Sequence, residues 1–485
     1  MNEHVTGSNG RSGLSSSTRG QGIKAVYFLG IGGIGMSAVA RYFHSKGIAV
    51  SGYDKTPTDL TKELEAAGIT VYYNEDVNRI PKDADLVIYT PAVPDSHTEL
   101  VYYREQNYKV VKRSDALQQI TEDTFNICIA GTHGKTTVST MTAHILRNSG
   151  YGSNAFLGGI SVNYGTNFWS SDNNVVVVEA DEYDRSFLKL SPDVAVITAM
   201  DADHLEIYGD EKNMQNAFVE FGNRVKEEGL LINKFGLTKM KEIKTEQKIS
   251  YSLGNESADA FAFDIKIGNG SYQYNVQLPN KTINGLELFI GGMHNVENSV
   301  AAITIANYLK IDEEKIRTAV KEFKGVKRRF EYIIAPKEKQ EGGYTYPVFI
   351  DDYAHHPEEL KALLSSARNL FKQRKITVLF QPHLYTRTRD LADDFAKSLS
   401  LADKVILLPI YPARELPIAG VNSELILNKI DAKEKEIIEK NELLNWMDDY
   451  SKKIDKDFGE VIITAGAGDI DTLVQPLKNS IEKAL

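Results

Sequence analysis

Apolar residues fall in short continuous runs, and each run ends in a glycine-rich or polar cluster. Residues 24–29, 48–53, 69–73 and 85–89 form a first set, 127–130, 175–178 and 194–198 a second, and 348–350, 376–380, 405–408 and 461–464 a third. Such runs predict strands buried on both faces of parallel sheets, with the intervening segments as crossover helices. The first glycine cluster opens a helix that reaches about residue 45. Between the second and third sets the period drops to two. Phe261, Phe263, Ile265 and Ile267 alternate with small or polar residues, as do Tyr272, Tyr274, Val276 and Leu278, and Asn269-Gly270 lies between them. This pattern predicts a β-hairpin. The charged stretch 239–248 predicts a solvated edge or loop, and a helix is expected from His294 with Ala301, Ala302, Ile305 and Ala306 packed inward. The fold class is therefore α/β in three domains. A Rossmann-like domain spans 22–120, a P-loop-type α/β domain with an added hairpin spans 121–327, and a second Rossmann-like domain spans 328–485.

Composition narrows the class. The chain has 485 residues, 42% apolar and 25% charged, as in ordinary globular protein. The net charge of -10 does not favour nonspecific nucleic-acid binding. Cys128 is the single cysteine, so no intramolecular disulfide can form and a packing role is expected. No apolar run approaches the ~18 residues of a membrane span. Residues 1–21 are rich in Ser, Gly and Thr without an apolar core, which predicts a disordered tail rather than a secretory signal. The compartment implied is the cytoplasm.

The sharpest chemical signal is Gly131-Thr132-His133-Gly134-Lys135-Thr136-Thr137, which follows an apolar strand and opens a helix. Glycines let backbone N–H groups close around phosphate oxygens. The helix N-terminus adds positive potential, the lysine reaches the terminal phosphates, and the hydroxyl of Thr136 or Thr137 can ligate Mg²⁺. The loop is short: Ile129 stands where the standard motif has its first glycine. Gly30, Gly32 and Gly35 in Gly30-Ile31-Gly32-Gly33-Ile34-Gly35-Met36 match the dinucleotide fingerprint, with Asp54 where a ribose hydroxyl would be held. A tight strand–helix turn without a ligand is the plainer reading of that loop. Residues 90–94 form a further loop at a strand's carboxyl end, the usual place for ligand contacts.

Acidic and polar clusters complete the candidates. Glu179-Ala180-Asp181-Glu182 ends an apolar strand beside the phosphate loop, where a magnesium ligand normally sits. Glu179 is favoured, and capping of the following segment is the bland alternative. Asp201-Ala202-Asp203-His204 ends another strand, and His204 reads as a second metal ligand or a substrate contact. Asn295 and Asn298 share one side of their helix and could cap it or read a nucleobase. In the third domain, four strands in succession end in clusters carrying Asp351, Tyr353, His355, His383, Arg387, Tyr411 and Asp469. Four such endings argue for a face that presents a site.

These ordered motifs, with Arg328-Arg329-Phe330 among them, resemble the Mur ligases of peptidoglycan precursor synthesis, over residues 23 to the C-terminus. The resemblance is strongest to the branch that adds L-alanine to UDP-N-acetylmuramate. It implies that Gly30, Gly32, Gly33, Gly35, Met36 and Asp54 hold the UDP-sugar. It implies ATP at Gly131, Thr132, His133, Gly134, Lys135, Thr136 and Thr137, with His294, Asn295 and Asn298 near the adenine and Arg329 and Asp351 closing on the nucleotide. Mg²⁺, for which Mn²⁺ can substitute, would lie on Thr136 and Glu179, with a second ion on His204. Tyr353, His355, His383 and Arg387 would surround the alanine and the reacting carboxylate, and the catalytic set would be Lys135, His204, His355, His383 and Arg387. Either His355 or His383, or solvent, could take the proton from the alanine ammonium. The implied chemistry is phosphorylation of the carboxylate to an acyl phosphate, followed by amine attack and closure of the third domain against water. The partners implied are UDP-N-acetylmuramate, L-alanine and ATP, with no nucleic acid or membrane insertion, on a monomer or homodimer.

Two departures stand out. Leu384 occupies a position where many relatives have Arg, and residues 335–346 read as a polar insertion. The nearest rival is a recycling ligase that joins a preformed murein peptide to the same UDP-sugar. More distant rivals are a nicotinamide-dependent oxidoreductase, which leaves Lys135, Thr136 and Glu179 unexplained, and an inactive nucleotide-binding scaffold, against which the retention of Lys135, Thr136, Glu179 and His204 argues.

Overall fold

The computed structural model describes residues 22–201, 205–337, 345–413, 415–455 and 457–484. The predicted tail, His204 and most of the predicted insertion lie outside the described residues. The described chain forms two compact units. One holds the residues up to Gly159 with Thr166–Tyr251 and Ala301–Ile311; the other holds Ile160–Gly165, Ser252–Val300 and the chain from Asp312 onward.

The first unit begins with a five-stranded parallel sheet in the order Thr70–Tyr72, Ala49–Tyr53, Ala25–Leu29, Leu86–Tyr89, Val110–Lys112. The chain starts at the centre, builds to one side, then crosses to the other. The order therefore reverses at the carboxyl end of Ala25–Leu29, where the first glycine loop stands, and a crevice opens at such a switch. Helix Ile34–Ser45 leaves that loop and buries Met36, Val39, Ala40 and Phe43.

The same arrangement recurs further along the unit. Strand Phe125–Ala130 lies between Val175–Glu179 and Val194–Ile197, all parallel. Leu230–Lys234 and Gln247–Ser252 extend the sheet beside Val194–Ile197. The tail of the charged stretch, Gln247 and Lys248, thus enters a strand, with Lys248 paired to Leu231. Ile127, Cys128, Ile129, Val177 and Val178 are wholly buried, as the continuous apolar runs require. The Cys128 thiol is unpaired and buried, and burial pushes its pKa up.

In the second unit Ala260–Ile267, Tyr272–Gln277 and Thr282–Leu288 form an antiparallel meander. The hairpin is where its pattern places it. Tyr272, Tyr274 and Val276 face inward, but on the first strand the inward positions are Ala260 and Ala262. The large residues Phe261, Phe263 and Ile265 are only half-buried on the other face, while Ala262 pairs with the buried Val276.

The remaining sheet of this unit runs Glu331–Ile334, Val348–Asp352, Glu460–Ala465, Lys375–Phe380, Lys404–Leu407, Glu434–Ile437. Only Glu331–Ile334 is antiparallel to its neighbour. Asp351 and Leu379 both pair with Thr464, so the polar clusters that follow these strands emerge at one end of the sheet. Among the described residues no helix is long and apolar enough to cross a membrane.

Candidate active site

In the first unit the phosphate loop has the conformation its glycines predict. Gly134 caps helix Lys135–Asn148 at φ 84°, a left-handed value that favours glycine. A side chain on Gly131 would collide with Thr198 and the Ala199 backbone. The first helical turn carries no acid and no side-chain cap, so its amides point outward, ready for an anion. Thr132 is held by the neighbouring strand end: its N–H donates to Ala199 O at 3.2 Å and its hydroxyl accepts from Asp201 N–H at 3.3 Å. His133, exposed, lies 4.0 Å from Asp201. Thr136 and Thr137 are buried.

Three acids of the segment after Val175–Val178 serve three different groups. Glu179 Oε1 accepts the Thr136 hydroxyl at 2.9 Å, and its Oε2 accepts Gly158 N–H at 2.8 Å. Asp181 pairs with Arg113 at 3.3 Å. Glu182 pairs with Lys135 at 2.7 Å. Thr136 and Glu179 thus bring two hard oxygen donors together beside the phosphate loop. Such a pair fits Mg²⁺, which takes one or two protein oxygens and fills its other positions with water and phosphate.

The first glycine loop spends most of its own amides internally. Gly30 and Ile31 N–H donate to Tyr53 O, Gly33 N–H to Gly30 O, and Gly32 N–H to Asp54 Oδ2 at 2.7 Å. Asp54 therefore braces the loop through the amide of Gly32. The first turn of helix Ile34–Ser45 carries neither an acid nor a side-chain cap, so it is the anion-binding end here. A cleft of about 420 Å³ opens at that turn, lined by residues 33–36, Thr90, Arg113 and Asp181 among others. Of the loop 90–94, Thr90, Pro91 and Ala92 line it. The Arg113 guanidinium stands over Gly35, where a Cβ would collide with it. Sequence reading passed over Arg113; its only signal was its place directly after strand Val110–Lys112.

In the second unit Asn295 and Asn298 are buried and bonded to each other at 3.1 Å, and Asn295 Nδ2 donates to Gly291 O at 2.6 Å. The Phe330 ring fills the space where Gly291 lacks a side chain, and the His294 ring lies against Gly292. The asparagines and the Arg329-Phe330 turn are therefore neighbours. Asp351 pairs with Arg328 at 3.3 Å and accepts the Thr464 hydroxyl at 2.7 Å. Arg328 also lies over the Tyr353 ring at 5.0 Å. In Arg328-Arg329 nothing in the sequence says which arginine takes that role. Burial raises Asp351 to about 7 against the pull of Arg328. Burial also raises Asp352 to about 6, although it accepts N–H bonds from Phe330 and Ala354.

Tyr353, His355, His383 and Arg387 come together. The Tyr353 and His355 rings are 5.1 Å apart, and those of His355 and His383 6.0 Å. Arg387 Nη1 is 3.5 Å from His383 Nδ1. His355 Nδ1 contacts Tyr353 O at 3.0 Å. Tyr411 stacks on His383 at 5.8 Å, a wall that sequence reading did not assign. Partial burial, Arg387 and His355 hold His383 below the usual histidine value, so its ring is neutral near pH 7. Leu384 adopts φ 71°, and its N–H donates to Tyr411 O at 3.0 Å, which fixes the turn that aims His383.

Three family descriptions match the chain: "Mur ligase family, catalytic domain" over residues 25–124, "Mur ligase middle domain" over 129–306, and "Mur ligase, glutamate ligase domain" over 328–468. The chain is 45% identical over 467 residues to the UDP-N-acetylmuramate–L-alanine ligase of Porphyromonas gingivalis, covering 95% of this chain and 99% of that one. Its fold matches the crystal structure of a UDP-N-acetylmuramate–alanine ligase from Thermotoga maritima with a TM-score of 0.78 at 28% identity, covering 95% and 100% of the two chains. A murein peptide ligase from Psychrobacter arcticus shares the fold at a TM-score of 0.61 and 21% identity, covering 96% and 100%. The three family matches together with the near full-length identity show that the chain belongs to the Mur ligase family.

Proposed function

We propose that the chain is an ATP-dependent ligase that joins L-alanine to the carboxylate of UDP-N-acetylmuramate, giving UDP-N-acetylmuramoyl-L-alanine, ADP and phosphate. What supports the amino acid, against the murein-peptide alternative, is the near full-length 45% identity to an L-alanine ligase. What supports the reaction class is the phosphate loop with Lys135, Thr136 and Glu179 at one strand end.

A carboxylate is a poor acyl donor because oxide is a poor leaving group. Transfer of the γ-phosphoryl group of ATP onto it makes an acyl phosphate; the alanine amine attacks the carbonyl carbon, and phosphate leaves. Charge spreads over the phosphoryl oxygens during transfer, and Lys135 with the amides of its helix stabilises it. Thr136 and Glu179 would hold Mg²⁺, with Mn²⁺ as substitute, and His204 would contribute to a second ion. When bound, the metal neutralises phosphate charge and orients the transferred group. The first turn of helix Ile34–Ser45 takes the UDP diphosphate, and Arg113 stands beside it. Asn295 and Asn298 would lie near the adenine, and Arg329 with Asp351 would close on the nucleotide from the third domain. Arg387 orients a carboxylate by paired N–H bonds. His383, neutral, accepts a proton from the alanine ammonium, with His355 beside it. The domains would divide as 22–120 for the UDP-sugar, 121–327 for ATP and 328–485 for the amino acid, in a cytoplasmic enzyme.

The test is phosphate release from Mg-ATP and UDP-N-acetylmuramate, with either L-alanine or L-alanyl-γ-D-glutamyl-diaminopimelate added. Release that requires L-alanine is expected. Release only with the tripeptide would move the reading to a recycling ligase, and release with neither would remove it.

A further inference from the structure

Lys135 does not stand free at the mouth of the phosphate loop. Its ammonium donates to Gly131 O at 2.6 Å and to Glu182 Oε1 at 2.7 Å. Glu182 is 1% exposed, and its Oε2 has no hydrogen-bond partner among the described residues. A buried carboxylate with one orphan oxygen is an expensive way to build a core. It is also not a swinging surface group. The Tyr208 hydroxyl donates to its backbone carbonyl at 2.6 Å, and the residue leads directly into the 3-10 turn Tyr183–Lys189.

Resting on the ATP reading above, we propose that Glu182 is a positioning residue that competes with the terminal phosphates of the nucleotide for Lys135. The ammonium has three protons, and two are committed to Gly131 and Glu182. A triphosphate entering the loop brings negative charge beside a carboxylate that cannot turn to water. Binding must therefore weaken the Glu182–Lys135 pair, and the free energy of that exchange is subtracted from nucleotide affinity. In return the side chain of Lys135 is held along the loop, pointed at the place the γ-phosphoryl group will occupy. Glu179 and Asp181 take no part in this, since each is engaged by a different group, Thr136 and Arg113.

The experiment is equilibrium titration of the full chain with Mg-ATP, for the parent, Glu182→Gln, Lys135→Ala and the double variant, with thermal melting as the check on folding. Glu182→Gln is expected to bind ATP more tightly, by roughly three- to thirtyfold, the range of coupling between contacting groups. In the Lys135→Ala background the same change should leave affinity within about twofold. Glu182→Asp, which keeps the charge on a shorter arm, should tighten binding by a smaller factor, and it carries the test should the glutamine variant melt early. Unchanged or weaker ATP binding by both Glu182 variants would overturn the proposal, as would tightening that persists without Lys135. A parent that binds no ATP would overturn the nucleotide reading together with the proposal, whereas a parent that binds ATP alongside unmoved Glu182→Gln and Glu182→Asp overturns the proposal alone.

Discussion

At the scale of single residues, the account assigns charge and protons to named atoms. Lys135→Ala should lower turnover by about 10²–10³-fold or more, the usual effect of removing a group that stabilises transition-state charge; a variant that still releases phosphate at the parent rate would remove that role. His383 sits below the ordinary histidine value of about 6.5. The acid limb of kcat/KM for L-alanine should therefore fall below that pH, and His383→Asn should abolish the limb and lower kcat by about 10²-fold. A limb that survives the substitution would transfer the proton to His355 or solvent. Asp351 gives a prediction on stability. Its folded pKa, about 7, is above that of an unfolded carboxyl, near 3.9. The folded state thus binds the proton more tightly, and the stability this supplies is complete below about pH 4 and lost as pH rises through about 7. Melting temperature measured between about pH 4 and 8 should fall less for Asp351→Asn than for the parent; equal falls would show that the carboxyl does not titrate in this range. The motifs marked segments of the candidate site but not every side-chain partner within them. Glycine, lysine and threonine in a fixed spacing made the phosphate loop legible. Arg328 against Arg329, and Glu182 as a partner for Lys135, were not legible, because ion pairs join residues far apart in sequence and spacing carries no trace of them.

At the scale of elements, the strands that hold the site were readable because burial on both faces leaves unbroken apolar runs, as in Val175–Val178. Leu230–Lys234 and Gln247–Ser252 were harder, since the second carries exposed Gln247 and Lys248 at its start and shows no such run. The hairpin shows a different limit. Period two identified the strands, but the burial of Ala260 and Ala262 in place of Phe261 and Phe263 depends on which face of the meander packs inward, a tertiary fact. Packing between strands also yields a prediction. Gly158 lies on the strand beside Val175–Glu179, and a Cβ there would collide with the Glu179 carboxylate. Gly158→Ala should displace that carboxylate from Thr136 and raise the Mg²⁺ concentration needed for half-maximal phosphate release by about tenfold, the lower range for disturbing a ligand's support. Half-saturation at the parent's Mg²⁺ concentration would contradict the placement of Glu179 as the ligand.

At the scale of the whole chain, three sheets each place chemistry at the carboxyl ends of their strands, and two of them do so where the strand order reverses around a glycine loop. The order of motifs along the chain made this architecture legible before any coordinate, because each loop needs the strand before it and the helix after it. Reaction class follows from the loops, while the amino acid rests on likeness to relatives along the whole length. The central claim is that ATP activates the sugar carboxylate as an acyl phosphate before the amine arrives. Its most direct test is to run the reaction with UDP-N-acetylmuramate whose carboxylate oxygens are ¹⁸O and to weigh the released phosphate. The account predicts a phosphate carrying one heavy oxygen, together with the alanyl UDP-sugar product retaining the other heavy oxygen in its new amide carbonyl. Unlabelled phosphate formed alongside that product would contradict it.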